Sequence, residues 1–264
     1  MSDLSIKPNT KKINVNGVMI TAINAASNLL LNEFCDRYSA YDIEPIIESD
    51  FLLEAKQAGL HCTWLTTTNN DALHYYIDIE KFVKQQFSYP AAKLGAFNQA
   101  IGKKTKTILD ATGGWGGDAL LMCAQGYTVT VIERNPIMAL LLEDAMLRLS
   151  KTSWVIENQI VSPKVINTDA NDYFENNNVR HDCVYLDPMF PPKRKKSAAV
   201  NKNMQLLQWL IGEDVDAHRL ANKVIASNCS RLVVKRPNYA KSLLNEPSVQ
   251  FSSKLVHYDV YLKS

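Results

Sequence analysis

Residues 107–136 constrain the fold more than any other stretch of this chain. Thr107-Ile-Leu-Asp110 reads as a short apolar strand that runs into the glycine cluster Gly113-Gly114-Trp115-Gly116-Gly117 and Asp118. A short amphipathic helix from about Ala119 to Ala124 follows, then a second apolar strand, Thr128-Val-Thr-Val-Ile132, ending in Glu133-Arg134-Asn135-Pro136. Strand, glycine turn, helix and strand make a β-α-β unit. The unit makes the two strands parallel, and the glycines let the backbone approach a ligand closely. Glu133 lies about 20 residues past the start of the turn, where a carboxylate can accept hydrogen bonds from ribose hydroxyls.

The glycine spacing bears on the class of cofactor. A dinucleotide fingerprint needs G-x-G-x-x-G with the pyrophosphate on a helix N-terminus. Gly114 and Gly116 supply the first two glycines, but the third position falls on Ala119. Asp110 and Asp118 also bracket the turn with negative charge. That opposes a pyrophosphate and suits the cationic amino-acid end of S-adenosylmethionine (SAM), which is favoured over a nicotinamide dinucleotide.

Val184-Tyr-Leu-Asp187-Pro188-Met-Phe190-Pro191 reads as an apolar strand that stops abruptly. A carboxylate, a proline-stiffened backbone and an aromatic ring at a sheet tip can grip a planar group bearing NH2. Asp187 and the Pro188 carbonyl accept its hydrogens, and Phe190 stacks on its face. The plainer alternative is a strand followed by a proline-rich turn.

Together these residues resemble the small-subunit ribosomal RNA guanine-N2 methyltransferases of the J type. The resemblance rests on 109–118, Glu133-Arg-Asn-Pro136, 185–191, Val233-Val-Lys-Arg-Pro237 and His257-Tyr-Asp-Val-Tyr261. It implies SAM-dependent methylation of the exocyclic amine of a guanosine near the 3′ end of 16S ribosomal RNA, with that RNA or the small subunit as partner. It also implies cofactor contacts from Gly117-Asp118, Glu133-Arg134, Asp169-Ala170 and Asp187. The family's Arg-Asp pair is Gly117-Asp118 here, so the arginine is missing, and Asp169 stands where a hydroxyl residue is usual. The segment 89–99, basic and glycine-rich in the family, is barely charged.

The chain has 264 residues, 46% hydrophobic and 21% charged, which is enough apolar material for a sizeable core and too much for disorder. No run reaches the roughly 18 apolar residues of a membrane span, and the N-terminus lacks a signal-peptide apolar region. Cys35, Cys62, Cys123, Cys183 and Cys229 are scattered without a C-x-x-C pair, and the histidines lack metal-ligand spacing. This pattern predicts reduced core thiols in a cytoplasmic protein and no metal site. Net charge is only +2, but residues 188–212 hold no acid and carry Lys193, Arg194, Lys195, Lys196 and Lys202. Beside the Asp187 motif, Lys193 to Lys196 read as RNA-binding residues that contact phosphates, and Lys235 and Arg236 as further candidates. Away from such a motif, a charge run is a solvated loop.

The expected fold class is α/β: a Rossmann-like doubly wound sheet of the SAM-dependent methyltransferase type, residues 91–264, with a small N-terminal α/β appendage, residues 1–90. In the appendage, 12–20 predicts two strands about an Asn16-Gly17 turn, 26–38 a helix, and 69–71 a hairpin tip before a strand over 73–79. A helix is expected over 93–102. In the larger domain, helices are expected over 137–149 and 201–211. Strands are expected over 164–167, 183–186 and 231–235, with a final pair between Val249 and Leu262. Trp154, Trp209 and His257 read as packed core residues. Three rival functions remain at this point: another amino-methyltransferase acting on DNA adenine or a protein amide, a non-catalytic RNA-binding ribosome-assembly factor, and a nicotinamide oxidoreductase.

Overall fold

The computed structural model describes residues 11–15, 18–22, 51–56, 58–65, 72–86, 95–176, 180–189, 214 and 216–263. These fall into two compact units that divide between Ile77 and Asp78.

The first unit carries one sheet in the order β1-β2-β3-β4-β5, from β1 (Lys11–Val15), β2 (Val18–Ala22), β3 (Phe51–Lys56), β4 (Gly59–Leu65) and β5 (Ala72–Tyr76). β1 and β2 pair antiparallel with Val15 opposite Val18, as a two-residue Asn-Gly connection requires. β2 and β3 are parallel, and β4 and β5 form the expected hairpin. The helix expected over 26–38 and the hairpin tip at 69–71 lie outside the described residues. The strand expected over 73–79 ends earlier, at Tyr76. The reason is Asp78, whose carboxylate accepts the Lys81 N–H at 2.9 Å and so starts helix α1 (Ile79–Gln86).

The second unit holds a seven-stranded sheet in the order β11-β12-β10-β9-β6-β7-β8. Its strands are β6 (Thr107–Asp110), β7 (Thr128–Glu133), β8 (Lys164–Asn167), β9 (Cys183–Leu186), β10 (Arg231–Pro237), β11 (Val249–Ser252) and β12 (Val256–Leu262). β8, β7, β6, β9 and β10 are mutually parallel, and β12 runs antiparallel between β10 and β11. This is the doubly wound sheet with a late antiparallel strand that the alternation of elements predicts. Helices α2 (Gly95–Ile101), α3 (Gly117–Ala124), α4 (Pro136–Ser150), α5 (Ser153–Glu157), α6 (Ala170–Asn176) and α7 (Ala217–Ala226) accompany it.

Both sheet faces are covered, which is why β9 is a continuous apolar run with every residue buried. On one face Leu109, Val184, Leu186, Leu232 and Val234 pack with Leu220, Ala221 and Val224 of α7. α4 is apolar around most of its circumference, and burial of Ile137, Met138, Leu141, Leu142, Met146 and Leu149 holds it in place. Each such side chain contributes about 1.5–3 kcal/mol. Its start is written in Asn135-Pro136. The Asn135 side chain caps the N–H groups of Ile137 and Met138, and Pro136 occupies the first turn, where no N–H is needed.

The described cysteines Cys62, Cys123, Cys183 and Cys229 are free and buried, Trp154 is buried against Phe82, and His257 is buried on β12. Cys35, Trp209 and the helix expected over 201–211 lie outside the described residues. No described helix is long and apolar enough to cross a membrane.

Candidate active site

The strand order reverses at β6. The chain goes from β6 to β7 on one side and later returns to place β9 on the other. A crevice opens where the carboxyl ends of two such strands part, and ligands bind there. Asp110 is the last residue of β6, and Asp187 follows the last residue of β9. The β-ladder therefore brings together two carboxylates that lie far apart in sequence.

The glycine turn is shaped by sterics. Gly114 and Gly116 have φ of 51° and 72°, in the left-handed region that costs other residues most. A Cβ on Gly116 would lie 2.5 Å from Leu142 Cδ2, so the glycine lets α4 pack against the turn. A Cβ on Gly113 would lie 2.7 Å from Val131 Cγ1 and 3.1 Å from the Ile132 carbonyl, so this glycine seats the turn on β7. A Cβ on Gly117 would meet nothing within 4 Å. α3 begins here, two residues earlier than the sequence pattern suggests.

Glu133 ties the turn to the end of β7. Its carboxylate accepts the Gly114 N–H at 2.8 Å and the Asn135 N–H at 2.7 Å. Burial pushes it up to about 7 against the pull of these two donors. A carboxylate offers about four acceptor sites, so two remain for ribose hydroxyls.

Asp118 and Asp187 converge on one cation that the sequence reading assigned elsewhere. Lys235 Nζ donates to Asp118 Oδ2 at 2.7 Å and to Asp187 Oδ2 at 2.9 Å. The Tyr185 hydroxyl donates to the same Asp118 oxygen at 2.7 Å. Lys235 was expected to contact phosphate. It lies on β10, beside β9, and its side chain is drawn into the crevice by these carboxylates. Burial disfavours its charge, yet Asp187 and Asp118 hold the ammonium above the ordinary lysine range. Burial, with Asp118 and then Asp187 nearby, pushes Asp110 up to about 8. Burial also raises Asp187 to about 6, with Lys235 opposing. The Asp187 backbone is fixed separately, because its N–H donates to Thr112 Oγ1 at 2.7 Å.

The remaining expected cofactor residues sit around the end of β8. Arg134 pairs with Asp214 at 2.6 Å and Asp216 at 3.3 Å. Asp169 Oδ1 accepts the Asn171 N–H at 2.7 Å and so starts α6, whose first residue, Ala170, is buried. Asn171 donates onward to Asp216 at 2.8 Å. Asp214 also accepts the Met189 N–H at 2.7 Å, which ties the segment after Pro188 to Arg134. Thr112, Tyr185, Asp214 and Asp216 are therefore residues that sequence reasoning did not place in the site, and Lys235, expected at phosphate, sits instead among the carboxylates. Thr112 had a visible signal, a hydroxyl inside the glycine turn. The others become neighbours only when the sheet assembles. Phe190, Lys193, Arg194, Lys195 and Lys196 lie outside the described residues.

The site suits a cationic, nucleoside-bearing cofactor. Even with Asp110 protonated, Asp118 and Asp187 against one ammonium leave net negative charge, which repels a pyrophosphate and attracts a sulfonium with an amino group. The glycine turn and the free acceptor capacity of Glu133 provide the approach for a ribose. SAM meets these requirements.

Comparison with known proteins agrees. Residues 37–263 match the family described as "Putative SAM-dependent methyltransferase". A protein of Francisella tularensis subsp. novicida named ribosomal RNA small subunit methyltransferase J is 35% identical over 248 residues, covering 89% of this chain and 97% of its own. Its namesake from Hydrogenovibrio crunogenus is 42% identical over 158 residues, which is 59% of this chain and 57% of that protein. A crystal structure of a SAM-dependent methyltransferase from Neisseria gonorrhoeae superposes with a TM-score of 0.67 at 22% identity, over 92% of this chain and 94% of that one. The strand order, the acid-rich crevice and these likenesses lead to one conclusion: the chain belongs to the ribosomal RNA small subunit methyltransferase J family of SAM-dependent methyltransferases.

Proposed function

We propose that the protein methylates the exocyclic N2 amine of a guanosine near the 3′ end of 16S ribosomal RNA, on the RNA or on the small subunit. The observation that carries this reading is the placement of Asp187 beside the glycine turn, with its backbone held by Thr112 and its carboxylate oriented by Lys235.

Bound SAM supplies an electrophilic methyl group on a positively charged sulfur. Asp110, Gly114, Gly116, Gly117, Glu133, Arg134, Asp169 and Ala170 form the surface that holds it, with Asp118 supporting from α3. The chain's own chemical task is to present a poor nucleophile, since the N2 lone pair of guanine is delocalised into the ring. Asp187 and the Pro188 carbonyl accept the two amine hydrogens and turn the lone pair toward the methyl carbon. The carboxylate also stabilises positive charge as it develops on nitrogen. The bound sulfonium would give its methyl group to the amine nitrogen, the electron pair of the broken sulfur–carbon bond staying on sulfur, and Asp187 would accept the proton that the acidic methylated amine releases. Phe190 stacks on the extruded base, and Lys193 to Lys196 contact phosphates.

A methyl-transfer assay on small subunits from cells lacking the protein, with DNA and protein substrates beside them, tests this reading. Methylguanosine in the small-subunit RNA is expected, and Asp187→Ala should abolish it while retaining wild-type circular dichroism. Transfer only to DNA or protein, or near-normal turnover by Asp187→Ala, would refute the assignment.

A further inference from the structure

We propose that Lys235 is a positioning residue of the methyl transfer: its ammonium, anchored by Asp118, fixes the orientation and the ionised state of the Asp187 carboxylate that receives the target amine. The proposal rests on the reading of Asp187 given above and assigns Asp118 a supporting task within it.

The geometry is specific. One Asp118 oxygen, Oδ2, receives both the Lys235 ammonium at 2.7 Å and the Tyr185 hydroxyl at 2.7 Å. Tyr185 is fully buried in β9, and its ring meets Phe97 of α2 edge-on at 6.1 Å. Phe97 also meets Tyr258 of β12 edge-on at 5.8 Å. Asp118 is therefore set by a rigid aromatic wall, and Lys235 is set by Asp118. Lys235 then reaches Asp187 Oδ2 at 2.9 Å, which leaves Oδ1 as the freer oxygen to meet an incoming N–H.

Electrostatics points the same way. Among the described residues, the titratable groups around Asp187 are Asp110 on β6, Asp118 on α3, Tyr185 on β9, Tyr258 on β12 and Lys235 on β10. Lys235 is the one cation in this set. Burial and the Asp118 charge favour a protonated Asp187, and among the described residues Lys235 opposes them. A protonated Asp187 has lost acceptor capacity and the negative charge that favours the amine in the transition state.

The test is the pH dependence of kcat at saturating SAM on unmodified small subunits, for wild type, Lys235→Met, Lys235→Arg and Asp187→Asn. In Lys235→Met the acid limb should move upward by roughly one pH unit or more, the scale for losing an opposite charge beside a carboxylate. The loss at neutral pH should fall on kcat more than on the KM for the subunit. Lys235→Arg keeps the charge and should restore the limb toward its wild-type position. A purely structural lysine would lower stability without moving the limb, and an unmoved limb in folded Lys235→Met overturns the proposal. Should Lys235→Met fail to fold, Lys235→Gln, which keeps a donor for the two carboxylates but not the charge, carries the test. Its acid limb should likewise move upward, and an unmoved limb again overturns the proposal. Asp187→Asn separates the two levels of inference: near-normal turnover there refutes the underlying role of Asp187 rather than that of Lys235.

Discussion

The hydroxyl of Thr112 accepts the backbone N–H of Asp187 at 2.7 Å, joining the glycine turn after β6 to the turn after β9. The two halves of the site, one facing the cofactor and one facing the target amine, share this bond across the switch point of the sheet. Thr112 in turn is held by Asp110, whose Oδ1 accepts its N–H at 3.1 Å. Asp110, Thr112 and Asp187 thus form a relay that sets where the acceptor carboxylate sits relative to the glycines.

Replacing Thr112 with Val keeps the shape and removes the acceptor. Leaving the Asp187 N–H without its partner should cost about 1–3 kcal/mol. Because small displacements of positioned groups are costly to rate, turnover should fall by roughly 10–100-fold. Thr112→Ser should stay close to wild type. Denaturant unfolding and single-turnover methylation would measure both effects, and equal turnover in the Val and Ser variants would contradict the relay.

Glu133→Ala should weaken SAM binding by about 1–3 kcal/mol, the scale for losing charge-assisted hydrogen bonds. The structure adds a second consequence. Because Glu133 also receives the Gly114 and Asn135 N–H groups, the variant should melt at a lower temperature even without cofactor. Calorimetric titration and apo thermal melts distinguish the two contributions. Unchanged affinity in a folded variant would remove Glu133 from the cofactor site.

Asp110 gives a pH signature. Its folded pKa, about 8, is raised above its ordinary value of 3.8, so the folded state favours the protonated carboxyl. The stability this contributes is fully present below about pH 4 and is lost as pH rises toward 8. Asp110→Asn mimics the neutral form and keeps an acceptor for the Thr112 N–H. Relative to wild type, it should gain thermal stability progressively across that window. A constant difference between the two proteins from pH 4 to about 9 would show that Asp110 is ionised throughout.

Neutralising Lys193, Arg194, Lys195 and Lys196 together should weaken RNA binding and flatten its dependence on salt, because fewer counterions are released. SAM affinity should change little, since the cofactor surface is built from other residues. Binding to the small-subunit RNA at several salt concentrations provides the slope. An unaltered slope would identify the run as a solvated loop.

The local grammar of this chain was legible from its sequence. Strands β6, β7, β8 and β9 are short apolar runs bounded by turn residues, and Asn135-Pro136 marks the start of α4 by capping alone. Gly114, Gly116, Glu133 and Asp187 could be singled out because glycine turns and carboxylates at strand ends carry their chemistry in residue type and spacing. Short helices were harder. α5, α6 and α7 were not foreseen, and Asp78 and Asp169 turn out to start helices through their side chains, a role that composition does not separate from ligand contact.

Partnership between distant residues was decided only by the tertiary structure. Lys235 looked like a surface cation at the end of a strand, next to Arg236 and Pro237. Parallel pairing of β10 with β9 set Leu232 beside Val184 and Val234 beside Leu186, and the side chain that follows then reaches the carboxylates at the end of the crevice. Asp118, read as a direct cofactor ligand, acquired Tyr185 and Lys235 as partners in the same way. Sequence determines these residues' charges and their places on strands and helices. Their ionisation and orientation depend on burial and on neighbours separated by 48 to 117 positions, which exist only once the sheet has closed.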